Sequence, residues 1–281
     1  MTDDEAATLT KSATDRFVEV NGIRLHYNEA GSGPTLICTH GGGPGANAWD
    51  NTKHAFAQLS RRLRVILLDC PGYGESQMGV SRNGVPMDVF VAGLLRDFMD
   101  TLQIERAHLY GSAQFGAAAL RFGIDYPDRT GKIIVQSAGI GGVRGGERSE
   151  GLKAMSVFAA DPTRENMTAL APYFTPREEL RGPDFIETRL RAALVPGHLE
   201  SRKEMSNASN SDVVPDLKRL RSEVLLVWGN EDRVIHADRV LRALEVIPNS
   251  RAVIWGDRSG HFVIAEHSDE FARIVVDFLT H

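Results

Sequence analysis

The sequence predicts an α/β fold in which a mostly parallel eight-stranded sheet is flanked by helices and carries a helical cap inserted after a central strand. Three observations lead there. Eight short β-rich runs alternate with longer helical patterns along the 281 residues, the order expected of strands joined by crossover helices. From the third run onward the strands are nearly continuous apolar stretches, as parallel strands covered on both faces must be. The alternation breaks once, between about Gly141 and Asp212, where no strand-like run occurs.

In order, the strands are FVEV, IRLHY, TLICTH, RVILLD, AHLYG, KIIVQSA, EVLLVWG and SRAVIWG. Helical patterns between them include Met87 to Leu102, Gln114 to Tyr126, Ala237 to Ile247 and Ser268 to Thr280. The inserted stretch holds helical pieces interrupted by Pro162, Pro172, Pro176, Pro183 and Pro196, each of which ends or kinks a helix. Its glycine-rich start, GIGGVRGGERSEG, reads either as a hinge or as a plain flexible loop. Residues 1–140 and 212–281 are thus expected to form the core domain and residues 141–211 the cap. Met155, Phe158, Phe174 and Leu190 read as cap core, with lining of a ligand space as the second reading.

Composition narrows the function. A formal charge of −5, with no Lys/Arg run and no basic-aromatic interleaving, argues against a nucleic-acid surface and leaves a small molecule as the partner. Cys38 and Cys70 lie in apolar strands without metal-ligand spacing and read as buried free thiols, which suits a cytoplasmic protein. The acidic, polar N-terminus lacks a signal-peptide pattern, and no apolar stretch is long enough to span a membrane, so no membrane partner is expected. The nine histidines show no metal spacing such as H-E-x-x-H; neither a metal nor a cofactor is expected.

Five segments carry chemistry. HGGGPGANAW, His40 to Trp49, follows a buried strand, and Gly41, Gly42 and Gly43 let the backbone approach a ligand with its N–H groups free. That suits oxyanion stabilisation, with a tight turn as the alternative; the phosphate-binding glycine patterns are absent. DCPGYGES, Asp69 to Ser76, reads as a structural turn. HLYGSAQFGAAALRFGIDYPDR reads as a strand, a sharp turn and a helix, the strained arrangement that exposes a nucleophile. Gly111 and Gly116 supply the small residues such a turn needs when Ala113 stands at its tip, whereas Phe115 occupies a usually small position. Placing Ser112 or Gln114 at the tip fits less well, and an amide is a poor nucleophile. Finally, WGNEDRV and DRSGHFVIAEH end the last two strands and present Asp232 and His261 in the order nucleophile, acid, histidine. A turn aspartate and an incidental loop histidine are the bland alternatives, and Asp238 and Asp257 are weaker candidates for the acid.

Together these segments resemble the α/β-hydrolase superfamily across essentially the whole chain. More narrowly, HGGGPGANAWDN and GHFVIAEHSDEFARIVVDFL are similar to the meta-cleavage product hydrolases, which cut carbon–carbon bonds in dienoates formed by ring opening of catechols. The resemblance implies that His261 is the general acid/base, Asp232 its orienting partner, and the N–H groups of Gly42 and Gln114 the oxyanion hole. It places Asn51, Ser112 and Arg189 around the substrate carboxylate and 2-oxo group, Arg189 through the likeness of ETRLRAALVPGHLES to an arginine-bearing cap segment. It also implies a homodimer or higher homo-oligomer.

Three positions depart from the family pattern. Ser112 replaces a usual asparagine, Phe262 a usual tryptophan, and Ala113 the nucleophilic serine. A methyl group cannot attack a carbonyl, so three readings of Ala113 stand: an inactivated, substrate-trapping variant, a divergence to chemistry needing no nucleophile, or a protein that only binds. A carboxylesterase or lactonase of the same fold is the rival enzyme.

Overall fold

The computed structural model describes residues 9–140, 148–206, 211–256 and 258–281. Most of the glycine-rich segment read as a hinge or a plain loop, residues 141–147, and Asp257 lie outside the described residues. The eight expected strands are all present: β1 (Asp15–Val20), β2 (Ile23–Ala30), β3 (Thr35–Thr39), β4 (Arg64–Leu68), β5 (Ala107–Ser112), β6 (Thr130–Gln136), β7 (Val224–Gly229) and β8 (Ser250–Trp255). They form one sheet in the order β1-β2-β4-β3-β5-β6-β7-β8. β1 pairs antiparallel with β2, and β2 antiparallel with β4; every later pairing is parallel.

Longer helices cover both faces. We number them α1 (Ala48–Ser60), α2 (Met87–Thr101), α3 (Gly116–Asp125), α4 (Glu150–Ala160), α5 (Arg164–Phe174), α6 (Pro183–Ala193), α7 (His198–Glu204), α8 (Arg239–Val246) and α9 (Ser268–Thr280). The apolar strands divide their side chains by the two-residue period of an extended chain. Ile66 and Leu68 of β4 join α2, α3 and α8 in one core, whereas Val65 and Leu67 join α1 and α9 in the other. This two-sided burial is the reason that the strands from β3 onward are uniformly apolar in sequence.

Helix α1 was absent from the sequence-based helices. Its signal is local: Asn47 caps it by accepting the Asp50 N–H at 2.7 Å, and Ala48, Ala55, Phe56 and Leu59 are its buried apolar residues. Between β6 and β7, α4 to α7 pack into a separate small core around Phe158, Met167, Leu170 and Phe174. Pro183 opens α6 at the position where a missing N–H costs nothing, and Pro172 lies inside α5. No helix among the described residues is long and apolar enough to cross a membrane, and Cys38 and Cys70 are free and buried.

Candidate active site

Most of the candidate residues converge because they follow the C-terminal ends of strands, the edge where open α/β sheets bind ligands, and Arg189 reaches the same place from α6. After β3, buried His40 accepts the Cys70 N–H on Nε2 at 3.1 Å, and its Nδ1 lies 2.7 Å from the Gly41 carbonyl. These partners assign Nδ1–H as the donor. Burial lowers the pKa of His40 although Asp69 opposes it, so the ring is a neutral pin for the glycine loop. The glycines are required by contact. A Cβ on Gly42 would lie 2.0 Å from Gln114 Oε1, and one on Gly43 2.9 Å from Arg189 Nη2. Gly45, at a φ of +66°, would meet the Arg189 carbonyl oxygen at 2.1 Å.

DCPGYGES is a structural turn. The Asp69 carboxylate accepts from the Ala48 N–H at 2.7 Å and the Glu75 N–H at 3.0 Å, and it pairs with His26 Nδ1 at 2.7 Å. Burial alone would raise its pKa, yet the His26 hydrogen bond and neighbouring charge hold it below the usual carboxylate value. The turn nevertheless sends Tyr73 toward the site, its hydroxyl donating to the Gly42 carbonyl at 3.3 Å.

His198 of α7 clamps the insertion to both loops. Its Nε2 accepts the Gly45 N–H at 3.0 Å, and its Nδ1 faces the Gly72 carbonyl at 3.1 Å. Burial pulls its pKa down to about 4 from the ordinary 6.5. The unfolded chain therefore takes up this proton first, so the contribution of neutral His198 is complete above about 6.5 and is lost as pH falls toward 4. His198→Gln, which does not titrate, is expected to remove on the order of 2 kcal/mol of this acid sensitivity. Denaturant midpoints at pH 7 and pH 5 measure it; equal pH dependence in the two proteins would refute the clamp.

At the tip of the turn after β5, Ala113 holds a φ of +46°, a conformation L-residues rarely adopt and one that accumulates at functional sites. The steric limits fall at Gly111, where a Cβ would lie 2.8 Å from Gly116 Cα, and at Gly116, 2.6 Å from Ala138 Cβ. Position 115 is not one of them. The Phe115 ring turns into the core, edge-on to His40 at 5.1 Å and to Tyr73 at 5.6 Å between centroids. The expected need for a small residue there does not hold, because this core leaves room for an aromatic. Gln114 folds its side chain over Gly42, donating to the Met205 carbonyl and, at 3.4 Å, to the Tyr73 hydroxyl.

Asp232 and His261 meet across the loops after β7 and β8. Asp232 Oδ2 lies 2.8 Å from His261 Nδ1, while its Oδ1 accepts the N–H groups of Val234 at 2.8 Å and Ile235 at 2.9 Å. A carboxylate held by two backbone donors cannot rotate away. The hydrogen bond assigns the proton to Nδ1 and leaves Nε2 as the basic atom. The Gln136 amide donates to the His261 carbonyl at 2.8 Å, and the Phe174 carbonyl accepts the N–H groups of His261 and Phe262 at 2.9 and 3.1 Å. Asp238, the weaker acid candidate, stands at the start of α8 and does not line the cavity described below.

A cavity of about 70 Å³ is lined by Gly41, Gly42, Gly43, Asn51, Ala113, Gln114, Arg189, His261 and Phe262, which puts nearly all the sequence-derived candidates around one space. Ser112 is adjacent: a Cβ on Gly41 would lie 3.5 Å from the Ala113 methyl and 3.8 Å from Ser112 Oγ. Met155 and Phe174 also line the cavity; Phe158 is buried in the insertion core and Leu190 packs against it. Arg189 is held in a cage of Phe174, Phe185 and Phe262, with its guanidinium 4.2 Å from the Phe174 ring centre. Burial lowers its pKa to about 10, Asp50 opposing and Arg202 assisting. Among the described residues it forms no salt bridge, and its Nε and the Asn51 Oδ1 are buried without partners. Arg189 and Phe262 are shared with a second cleft of about 340 Å³ that opens beside α1 and α6, so they partition the two spaces. Sequence reasoning missed Arg202, Tyr73 and His198. Each acts through a contact between distant segments that leaves no spacing signature.

Among the described residues, Asp15, His26 and Glu75 come close enough to hold an ion, but Lys11 bonds Glu75 and His26 bonds Asp15 and Asp69.

Known proteins share this fold. A sequence model of the alpha/beta hydrolase family matches residues 36–274. The 2-hydroxy-6-oxononadienedioate/2-hydroxy-6-oxononatrienedioate hydrolase of Paraburkholderia phymatum is 35% identical over 98% of this chain and 99% of its own. The 2-hydroxy-6-oxo-6-phenylhexa-2,4-dienoate hydrolase of Burkholderia cepacia is 32% identical over 96% and 98%. A mutant of the meta-cleavage product hydrolase CumD from Pseudomonas fluorescens IP01, complexed with acetates, superposes with a TM-score of 0.82 at 29% identity, covering 94% of this chain and 96% of that one. Matched by the family over residues 36–274 and by these enzymes over nearly its full length, the chain belongs to the alpha/beta hydrolase family and is a homologue of the meta-cleavage product hydrolases.

Proposed function

We propose that the chain is built as a carbon–carbon bond hydrolase for a 2-hydroxy-6-oxo-hexa-2,4-dienoate, in which Ala113 occupies the nucleophile position and disables the attack. The observation that carries this reading is Arg189, a buried guanidinium without a carboxylate partner among the described residues, lining the same cavity as the His261–Asp232 pair. Desolvating a cation without neutralising it is costly, and a substrate carboxylate removes the cost. Asn51, with its unpartnered oxygen, and Ser112 then hold the 2-hydroxy end, while Phe262 and the Gly41 and Gly43 backbone shape the walls.

In the proposed reaction the dienol first becomes a ketone as His261 Nε2 helps move a proton from the 2-hydroxyl to C5. An oxygen nucleophile then adds to the C6 carbonyl, whose oxyanion accepts the N–H groups of Gly42 and Gln114. The C5–C6 bond breaks as the oxyanion collapses, its electron pair passes into the conjugated enone, and the resulting dienolate takes a proton from His261 and leaves as the 2-hydroxydienoate; the acyl group left on the nucleophile is then hydrolysed by a water that His261 deprotonates, releasing the carboxylic acid. A serine at 113 would be that nucleophile; the alanine stops the sequence before addition. Residues 141–211 serve as the cap over the core formed by 1–140 and 212–281. A cavity of about 70 Å³ is far below the roughly 300 Å³ of small ligand sites, so the dienoate enters by displacing cap side chains. The buried free thiols fit a cytoplasmic enzyme.

The test is binding by the chain as it stands. Mixed with 2-hydroxy-6-oxo-6-phenylhexa-2,4-dienoate or its dioate analogues, it is expected to bind one or more, shift the visible absorption and hold the shifted species for minutes. Absence of any spectral shift at millimolar protein and ligand would defeat the proposal. Rapid bleaching would show that chemistry proceeds without a serine.

A further inference from the structure

We infer that Arg202 and Tyr73 are positioning residues that hold the glycine loop from outside the cavity, so that α7 controls the aim of the Gly42 and Gln114 N–H groups during addition. The oxyanion role of those two N–H groups rests on the proposed reaction.

Consecutive glycines have too much backbone freedom to keep a donor pointed in one direction by themselves. At Gly42 the anchors come from other segments, and they take hold of both peptide groups that meet at its Cα. The peptide carrying the Gly42 N–H is held by its carbonyl, that of Gly41, which lies 2.7 Å from His40 Nδ1. The next peptide is held by the Gly42 carbonyl, which accepts from Arg202 Nε at 2.8 Å and from the Tyr73 hydroxyl at 3.3 Å. Three residues on, His198 of the same helix as Arg202 accepts the Gly45 N–H at 3.0 Å. With these contacts made, rotation of Gly42 would break one of them.

The second donor residue leans on the same helix. The Gln114 amide donates to the carbonyl of Met205, the residue that ends α7, and to the Tyr73 hydroxyl at 3.4 Å. Its side chain lies against Gly42, where a Cβ would come 2.0 Å from Oε1. The Tyr73 hydroxyl thus joins the two donor residues, accepting from one and donating to the other's carbonyl. Burial pushes its pKa up to about 12, so it keeps the proton that it donates. Arg202 supplies a charge-assisted bond, roughly twice as strong as a neutral one. Among the described residues no salt bridge engages Arg202, and Glu204 beside it is taken by Arg82.

The two chemical steps should respond differently. Ketonisation of the dienol needs His261 but no oxyanion donor, whereas addition to the C6 carbonyl needs both N–H groups in place. Loss of the anchors is therefore expected to slow the second step and spare the first.

The test uses the Ala113→Ser chain with 2-hydroxy-6-oxo-6-phenylhexa-2,4-dienoate, whose ketonisation and cleavage separate in stopped-flow absorbance, and with a nitrophenyl ester. Arg202→Met is expected to lower kcat for cleavage and for the ester alike by roughly 30- to 100-fold, somewhat less than removal of a donor outright. KM is expected to stay within about threefold and the ketonisation rate within about twofold. Arg202→Lys, which keeps a charged donor, is expected to recover most of the loss. Tyr73→Phe, which retains the ring packing on His40 and Phe115, is expected to lower the same step by about fivefold and keeps the test valid if Arg202→Met folds poorly. Equal slowing of ketonisation and cleavage would assign these residues to general stability, and a loss confined to KM would make Arg202 a ligand contact; either result, or unchanged cleavage in both variants, overturns the positioning role. Hydrolysis of the ester but not the dienoate by Ala113→Ser would defeat the dienoate reading alone, and the ester kcat would then decide the role of Arg202 and Tyr73. Turnover of neither compound would overturn both.

Discussion

Ala113→Ser is expected to raise kcat for a 2-hydroxy-6-oxo-dienoate by roughly 10⁴- to 10⁶-fold, the range lost when members of a nucleophilic triad are removed. The size follows from what is already in place. His261 is oriented by Asp232, Asp232 is fixed by two backbone donors, and Gly111 and Gly116 permit the close packing of the turn carrying residue 113. In the proposed reaction only the attacking atom is missing. The backbone strain at a φ of +46° is paid equally by alanine and serine, so the substitution is expected to leave stability within about 0.5 kcal/mol. Stopped-flow loss of the substrate's visible absorbance measures the gain. A gain below tenfold would mean that His261 and Asp232 do not serve residue 113, and a reaction without a nucleophile would take precedence.

In the Ala113→Ser background, Arg189→Gln is expected to lower kcat/KM for the dienoate by roughly 30- to 1,000-fold, mostly through KM, because it leaves a substrate carboxylate buried without its charge partner. A nitrophenyl ester lacking a carboxylate provides the contrast, with a loss of less than about tenfold expected. Equal losses on the two substrates would instead assign Arg189 to holding the Phe174, Phe185 and Phe262 cage together. Circular dichroism and the unfolding midpoint separate that outcome from simple misfolding.

These expectations draw on two kinds of information. The strands were legible because burial on both sheet faces writes itself into sequence as uninterrupted apolar runs, and Ile66, Leu68, Val65 and Leu67 divide between the faces as that pattern requires. The glycine loop, the turn at Ala113, and the pair Asp232 and His261 were legible because each needs particular residue types at particular short spacings. Helix α1 was not, since its capping asparagine lies within the glycine motif and its apolar face is narrow. The pattern at Phe115 misled for a related reason: a local motif states what usually fits, while the space available depends on His40 and Tyr73, which come from other segments.

Arginine shows the division most sharply. The sequence by itself determined that the chain alternates strands and helices, and that the candidate residues Ala113, Asp232 and His261 follow strands β5, β7 and β8. All of these are properties of neighbours along the chain, and periodicity and short spacings encode them. Only the tertiary structure decided that Arg189 and Arg202 share a cavity without a lining carboxylate, while Arg121 is bonded to Asp125 and Asp216. A guanidinium's charge is constant, but its energy depends on the solvent and counter-charges around it, and segments far apart in sequence supply both.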